Sequence, residues 1–237
     1  TINLAKISRA KGIKRFIYIS SQSMYGISET QEELDEDTSE KNPITTYAKA
    51  KWEAEKEINE MSNNNFTVVS FRPSTVFGWS PRLRCDIVFN NLVASAYTEK
   101  KIVVFSDGSP WRPVIHIRDV CSAIYAGIVA PSNLVNNKSY NIGIRDGNYT
   151  VKELAEVVKE IYPKTEVIFK NKTPDARTYK VSFKRILSEL SDYYKPEWDL
   201  KSGAKELIEN FDKFKFAKSD FQGTKTNRIQ QLTYLQN

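Results

Sequence analysis

The sequence predicts an α/β fold organised around a buried parallel sheet, and three observations predict it. Phe16-Ile17-Tyr18-Ile19 is an apolar run that breaks into Ser20, Ser21 and Ser23, as a buried parallel strand reads when it ends at a polar site. A helix signal follows over Asn42 to Glu55, where Pro43 ends a loop, Thr45 or Thr46 can cap, and an Ala/Lys/Glu run propagates. Phe66-Thr67-Val68-Val69-Ser70-Phe71 is then a second buried strand, leading into Arg72-Pro73.

Taken in order, the chain opens in an amphipathic helix carrying Ile2, Leu4, Ala5 and Ile7, which ends at Gly12. Ile13 to Ile19 is the first strand. Residues 27–42 are acidic and polar and read as a solvated loop. The helix from Thr45 to Met61 places Tyr47, Lys51, Ala54 and Ile58 on one face. After the Phe66–Phe71 strand, a helix is expected from Asp86 to Thr98, a short strand over Ile102–Phe105 and a turn at Asp107-Gly108. Arg112 precedes the alternating strand Val114–Ile117, and Asp119 is expected to cap a helix running to Val129. Tyr140–Gly143 is a strand ending in a loop. Thr150 and Glu153 form a capping box for the next helix. Val167–Phe169 is a strand, and Phe183–Leu190 and Leu200–Ile208 are helices. The stretch Phe221–Arg228 is polar, with no chemistry to assign.

The chemistry concentrates where Ser21 ends its strand and Tyr47 and Lys51 lie four apart, one above the other on a helix. A positive charge beside a phenol favours phenolate. A tyrosine so placed takes a proton from a substrate hydroxyl or returns one, and Ser21 can hydrogen-bond the same oxygen. A Tyr-x-x-x-Lys spacing alone arises by chance in many helices; the strand-end Ser-Ser-x-x-x-Tyr-Gly upstream makes it specific.

These residues resemble the extended short-chain dehydrogenase/reductases, and within them the NAD-dependent nucleotide-sugar epimerase/dehydratase group. The resemblance runs through Ser21 and Tyr25-Gly26, Tyr47 and Lys51, Arg72–Gly78, Asp107–Val120 and Tyr140–Gly143. It implies a Rossmann-like doubly wound parallel sheet, with a smaller α/β C-terminal substrate domain. Residues 1–78 would be the remaining half of the dinucleotide-binding domain, with 113–147 packing back on it, and 79–112 and 148–237 the substrate domain. No Gly-x-Gly-x-x-Gly follows a strand anywhere, although a dinucleotide pyrophosphate requires that loop. Against the family, the N-terminal half of the sheet is therefore expected to be absent, about 90 residues at about 30 per βαβ unit. The chain reads as part of a longer enzyme and inactive by itself.

The resemblance also implies roles. Ser21, Tyr47 and Lys51 would be catalytic; Ser20, Tyr47, Lys51, Arg72 and Pro73 would face NAD, with NADP not excluded. Gln22, Ser23, Thr75, Arg82, Arg84, Arg112 and Arg177 would face a nucleotide-diphosphate sugar. The family carries Asn where Thr75 stands, and Thr75 would donate through its hydroxyl instead. Arg112 and Arg177 are the arginines expected on the diphosphate, because guanidinium donates in a charge-assisted fork. Arg82 and Arg84 suit a phosphate or sugar carboxylate and read equally well as surface residues. Family dehydratases carry Asp-Glu where Gln22 and Ser23 stand, and an amide and a hydroxyl cannot replace that acid/base pair. Epimerase or 4-dehydrogenase chemistry is thus expected over 4,6-dehydration. The Tyr47–Lys51 helix is also expected to pair two copies in a homodimer.

Composition excludes other classes. At 40% apolar and 27% charged residues the chain is an ordinary globular one. The net charge of +6 is dispersed among acidic residues, whereas a nucleic-acid surface concentrates it. No apolar run reaches the roughly 18 residues of a membrane span. Two cysteines, Cys85 and Cys121, have no metal-ligand spacing and point to a reducing, cytoplasmic compartment. His116, the sole histidine, lies in an apolar strand and reads as a packed core residue. The alternative to an enzyme is a non-catalytic nucleotide-sugar-binding fragment, favoured by the missing glycine loop.

Overall fold

The computed structural model describes residues 1–28, 32–170 and 178–236. Helix α1 (Ile2–Ala10) leads into strand β1 (Arg15–Ile19), a 3-10 turn (Gln22–Tyr25), strand β2 (Glu33–Leu34) and helix α2 (Thr46–Glu60). Strands β3 (Thr67–Pro73) and β4 (Thr75–Phe77) come next, then helix α3 (Val88–Glu99) and strands β5 (Lys101–Val104) and β6 (Trp111–His116). Helices α4 (Ile117–Val129) and α5 (Ser132–Val135) precede strands β7 (Lys138–Ile142) and β8 (Asn148–Thr150). Helix α6 (Val151–Ile161), strands β9 (Glu166–Phe169) and β10 (Lys180–Val181) and helix α7 (Lys184–Glu189) follow. Helices α8 (Leu200–Lys213), α9 (Lys218–Phe221) and α10 (Arg228–Gln236) complete the described chain.

The elements fall into two compact units. Thr1–Ser74, Asp119–Gly147 and Tyr179–Glu197 form the first; Thr75–Arg118, Asn148–Thr178 and Trp198–Asn237 form the second. The first is built on a parallel sheet of order β1-β3-β7, with Ile19 opposite Phe71 and Phe71 opposite Tyr140. Every residue of β3 before Pro73 is buried, as expected of a central parallel strand covered on both faces. Ala5 of α1 and Ala54, Ile58 and Met61 of the α2 side pack with Tyr18, Phe66 and Val68. Gly127 of α4 faces the sheet, where an added Cβ would lie 2.6 Å from the Phe71 ring. Thr45 caps α2 by accepting from the Ala48 N–H, which offsets one of the helix's unpaired donors.

The second unit carries a mixed sheet of order β4-β6-β8 and a parallel pair β5-β9. Its core joins Phe89 and Val93 of α3, Leu154 and Val158 of α6, and Leu207 and Phe211 of α8. The capping box of Thr150 and Glu153 forms at the start of α6. His116 is fully buried, 2.8 Å by Nε2 from Glu206 and stacked on Trp198 at 4.1 Å between centroids. A packed core histidine needs such a polar partner.

Two expectations change. The acidic loop is not wholly solvated: Glu36 is buried and accepts the Asn141 N–H at 2.8 Å, and burial raises its pKa. The loop thus sends a carboxylate inward to a main-chain donor of β7, which an acidic composition conceals. Asp119 does not cap α4, which begins two residues earlier; it is buried and accepts the Glu197 N–H at 3.0 Å. The polar C-terminal stretch leads into α10, whose Ile229, Leu232, Tyr234 and Leu235 are exposed. Among the described residues no helix is long and apolar enough to cross a membrane, and no cluster of His, Cys, Asp and Glu could hold a metal ion.

Candidate active site

The first unit brings the serine turn and the tyrosine helix together at the carboxyl end of β1. The turn Gln22–Tyr25 packs on α2. Ser21 is its N-cap and accepts from the Ser23 N–H at 3.2 Å and the Ser23 hydroxyl at 2.9 Å. A serine that accepts twice keeps its own proton to donate elsewhere. Lys51 donates from Nζ to the Ile19 carbonyl at 2.7 Å, the last residue of β1. The ammonium lies 5.3 Å from the Tyr18 ring centre and 5.8 Å from that of Tyr47. Burial lowers the Lys51 pKa, since a cation loses hydration there. Tyr18 donates its hydroxyl to the Lys51 carbonyl at 3.3 Å. Its own pKa rises to about 12, through burial first and then the charges of Glu55 and Tyr47, so it remains a neutral donor beside the lysine. Tyr47 itself is 57% exposed, with its ring open to a ligand.

The other residues expected here divide. Ser20 is buried at the end of β1, and its hydroxyl has no hydrogen-bond partner among the described residues. A buried hydroxyl without a partner is an unusual feature that a ligand would relieve. Gln22 is buried and directs its amide nitrogen to the carbonyls of Arg72 at 3.0 Å and Ile142 at 3.4 Å, while its Oε1 is likewise unpartnered. Its donors are thus committed to the ends of β3 and β7 rather than to a sugar. Ser23 supports Ser21. Pro73 ends β3 opposite Ile142.

Arg72, expected on the cofactor, points inward. It is 3% exposed and forms a forked ion pair with Glu55, 2.6 Å from Nη2 to Oε1 and 2.9 Å from Nε to Oε1, with Glu55 fully buried. Nη1 donates to the Tyr25 hydroxyl at 3.0 Å and the Glu36 carbonyl at 3.3 Å, and the guanidinium lies 5.6 Å from the Trp52 ring centre. Although burial opposes it, the Glu55 carboxylate holds the Arg72 pKa above its ordinary value. Tyr25 also donates to Asn141 Oδ1 at 2.9 Å, and burial raises its pKa to about 12. Ser139 donates to Glu55 at 2.7 Å.

In the second unit, Thr75 lies in β4 opposite Val114. Arg84 is spent in a forked pair with Asp86 at 2.8 and 3.0 Å, while Arg82 is exposed. Arg112 lies in β6 opposite Tyr149 and donates to the Trp111 carbonyl at 2.8 Å. Arg177 lies outside the described residues.

The residues that sequence reasoning missed are Glu55, Tyr25 and Asn141. Glu55 had a signal, being an acidic residue four positions beyond Lys51 in a stripe that otherwise turns inward. Tyr25 and Asn141 lie within the Tyr25-Gly26 and Tyr140–Gly143 motifs, but no local pattern pairs them, since their partners lie 47 and 116 residues away.

The chain is similar to known proteins in sequence and in fold. The NAD dependent epimerase/dehydratase family matches residues 1–143. The uncharacterized UDP-glucose epimerase YtcB of Bacillus subtilis is 30% identical over 141 residues, 59% of this chain and 42% of that protein. Among solved structures, UDP-glucose 4-epimerase of Thermotoga maritima with UDP-glucose superposes with a TM-score of 0.75 at 24% identity. The match covers 89% of this chain and 67% of that one. UDP-glucuronic acid 4-epimerase of Bacillus cereus, in complex with UDP-glucuronic acid and NAD, gives 0.73 at 21%, covering 90% and 66%. These likenesses show a shared Rossmann-like α/β fold. The chain spans under half the length of the first curated relatives it matches.

Proposed function

Because this chain belongs to the NAD dependent epimerase/dehydratase family, we propose that it carries the proton-transfer half of a nucleotide-sugar oxidoreductase site, formed by Ser21, Tyr47 and Lys51. The observation that carries the reading is the ammonium of Lys51, fixed on the last carbonyl of β1 and near the exposed ring of Tyr47. Ser21, two residues beyond that carbonyl, holds a hydroxyl proton free to donate.

The Tyr47 oxygen takes the proton of a sugar hydroxyl, at C4 by resemblance, and returns it when the keto group is reduced. Lys51 stabilises the phenolate and offers further N–H donors besides the one given to Ile19. Ser21 donates to the same sugar oxygen as its charge changes. A bound nicotinamide supplies the hydride acceptor for this chemistry. The residues fit such a group in part: the unpartnered Ser20 hydroxyl and Lys51 suit it, while the Arg72 side chain is committed elsewhere. NAD is favoured by the family's description, and a nucleotide-diphosphate sugar by the relatives, whose names carry UDP-, dTDP- and GDP-sugars. Gln22 and Ser23 stand where an acid/base pair would be needed to expel water, so the proposed outcome is epimerisation or 4-oxidation rather than 4,6-dehydration. A homodimer through α2 and a cytoplasmic location belong to the same proposal.

The test is to supply NAD and UDP-glucose or UDP-glucuronate to the product of the complete gene and to analyse products by mass spectrometry. A 4-keto or 4-epimeric sugar is expected. A 4-keto-6-deoxy product would sink the preference against dehydration. The absence of a Gly-x-Gly-x-x-Gly in these residues favours a second reading, a nucleotide-sugar-binding module. That reading predicts sugar binding with no turnover at any NAD concentration.

A further inference from the structure

Arg72 touches both halves of the proposed site while facing neither substrate nor solvent. Its side chain grips Glu55, which follows Tyr47 and Lys51 on α2 at successive four-residue steps and so shares their face. Its Nη1 donates to Tyr25 at the end of the serine turn. Its own carbonyl accepts from Gln22 at the start of that turn, the residue after Ser21. One residue of β3 is thereby tied to the helix bearing the phenol and ammonium, and at two points to the turn bearing the serine.

Stability does not account for so many buried polar ties. Replacing a buried ion pair with apolar groups of similar volume is often neutral or stabilising. Apolar packing cannot fix direction in the way forked, charge-assisted hydrogen bonds do. We propose that Arg72 is a positioning residue: through Glu55, Tyr25 and Gln22 it sets the separation of the Ser21 hydroxyl from the Tyr47–Lys51 pair. The inference rests on the proposed function for its purpose, though not for its geometry.

The test compares wild type with the double variant Glu55→Met/Arg72→Met in protein labelled at tyrosine Cζ, lysine Nζ and the backbone amides. The Tyr47 and Lys51 signals are assigned from Tyr47→Phe and Lys51→Met. The double variant is expected to unfold near the wild-type temperature while the Tyr47, Lys51 and Ser21 resonances move. In the complete gene product, kcat is expected to fall about 100-fold with KM for the nucleotide sugar within about twofold, as a displacement of about 1 Å would give. A folded double variant with all three resonances at their wild-type positions overturns the proposal. If that variant does not fold, Tyr25→Phe decides, because it keeps the ion pair and removes one tie to the turn. Shifted Ser21 and Ser23 amide resonances support the proposal, and unmoved ones overturn it. Should the wild-type gene product prove inactive while the resonances move as expected, the enzymatic reading fails and the positioning of the three groups by Arg72 stands.

Discussion

The sharpest energetic consequence concerns Arg72 alone. Arg72→Met leaves the fully buried Glu55 carboxylate facing a thioether, with only the Ser139 hydroxyl among the described residues still donating to it. Removing one partner of a buried pair costs about 3–5 kcal/mol, chiefly from the stranded charge. At roughly 2–4 °C per kcal/mol, the melting temperature falls by roughly 6–20 °C. Replacing Glu55 with Met as well removes the stranded charge, and most of that loss is expected to return. Because the chain has two compact units, hydrogen exchange of the β3 amides should accompany calorimetry so that the first unit is followed separately. A single variant losing under about 1 kcal/mol, or a double variant no better than the single, would refute the reasoning about buried charge.

Other expected outcomes follow from single contacts. Gly127→Ala drives a Cβ to 2.6 Å from the Phe71 ring, and overpacking there should cost about 1–3 kcal/mol in urea denaturation. Thr150→Ala removes the capping box of α6 and should lower stability by about 1 kcal/mol in the same assay. Asp35 is held down to about 2, from 3.8, by hydrogen bonds from Thr38 and Asp37 that outweigh the opposing effect of burial. Its lowered folded pKa adds stability above pH 3.8 that is lost as pH falls towards 2. The stability profiles of wild type and Asp35→Asn should therefore differ above about pH 4 and converge near pH 2. Parallel profiles throughout would contradict this.

The legible parts of the molecule were those set by local pattern. The β1 strand ending in serines, the four-residue step from Tyr47 to Lys51 and the Thr150 capping box each involve neighbours in sequence, and each forms as read. What escaped notice depends on distant partners. Arg72 lies near the end of a buried strand, where a ligand-facing arginine is a natural expectation, yet a carboxylate 17 residues earlier turns it inward. Glu36 sits in an acidic loop whose composition says solvent, but the Asn141 amide 105 residues away draws it in. No periodicity reports such long-range satisfaction of charge.

The most direct measurement of the central claim is single-turnover oxidation of a nucleotide sugar by the complete gene product and its Tyr47→Phe variant, with sugar binding followed by calorimetry. If Tyr47 moves the proton, the variant binds the sugar about as well as wild type and its oxidation slows by about 100-fold or more. A Tyr47→Phe variant oxidising the sugar at the wild-type rate would contradict the assignment.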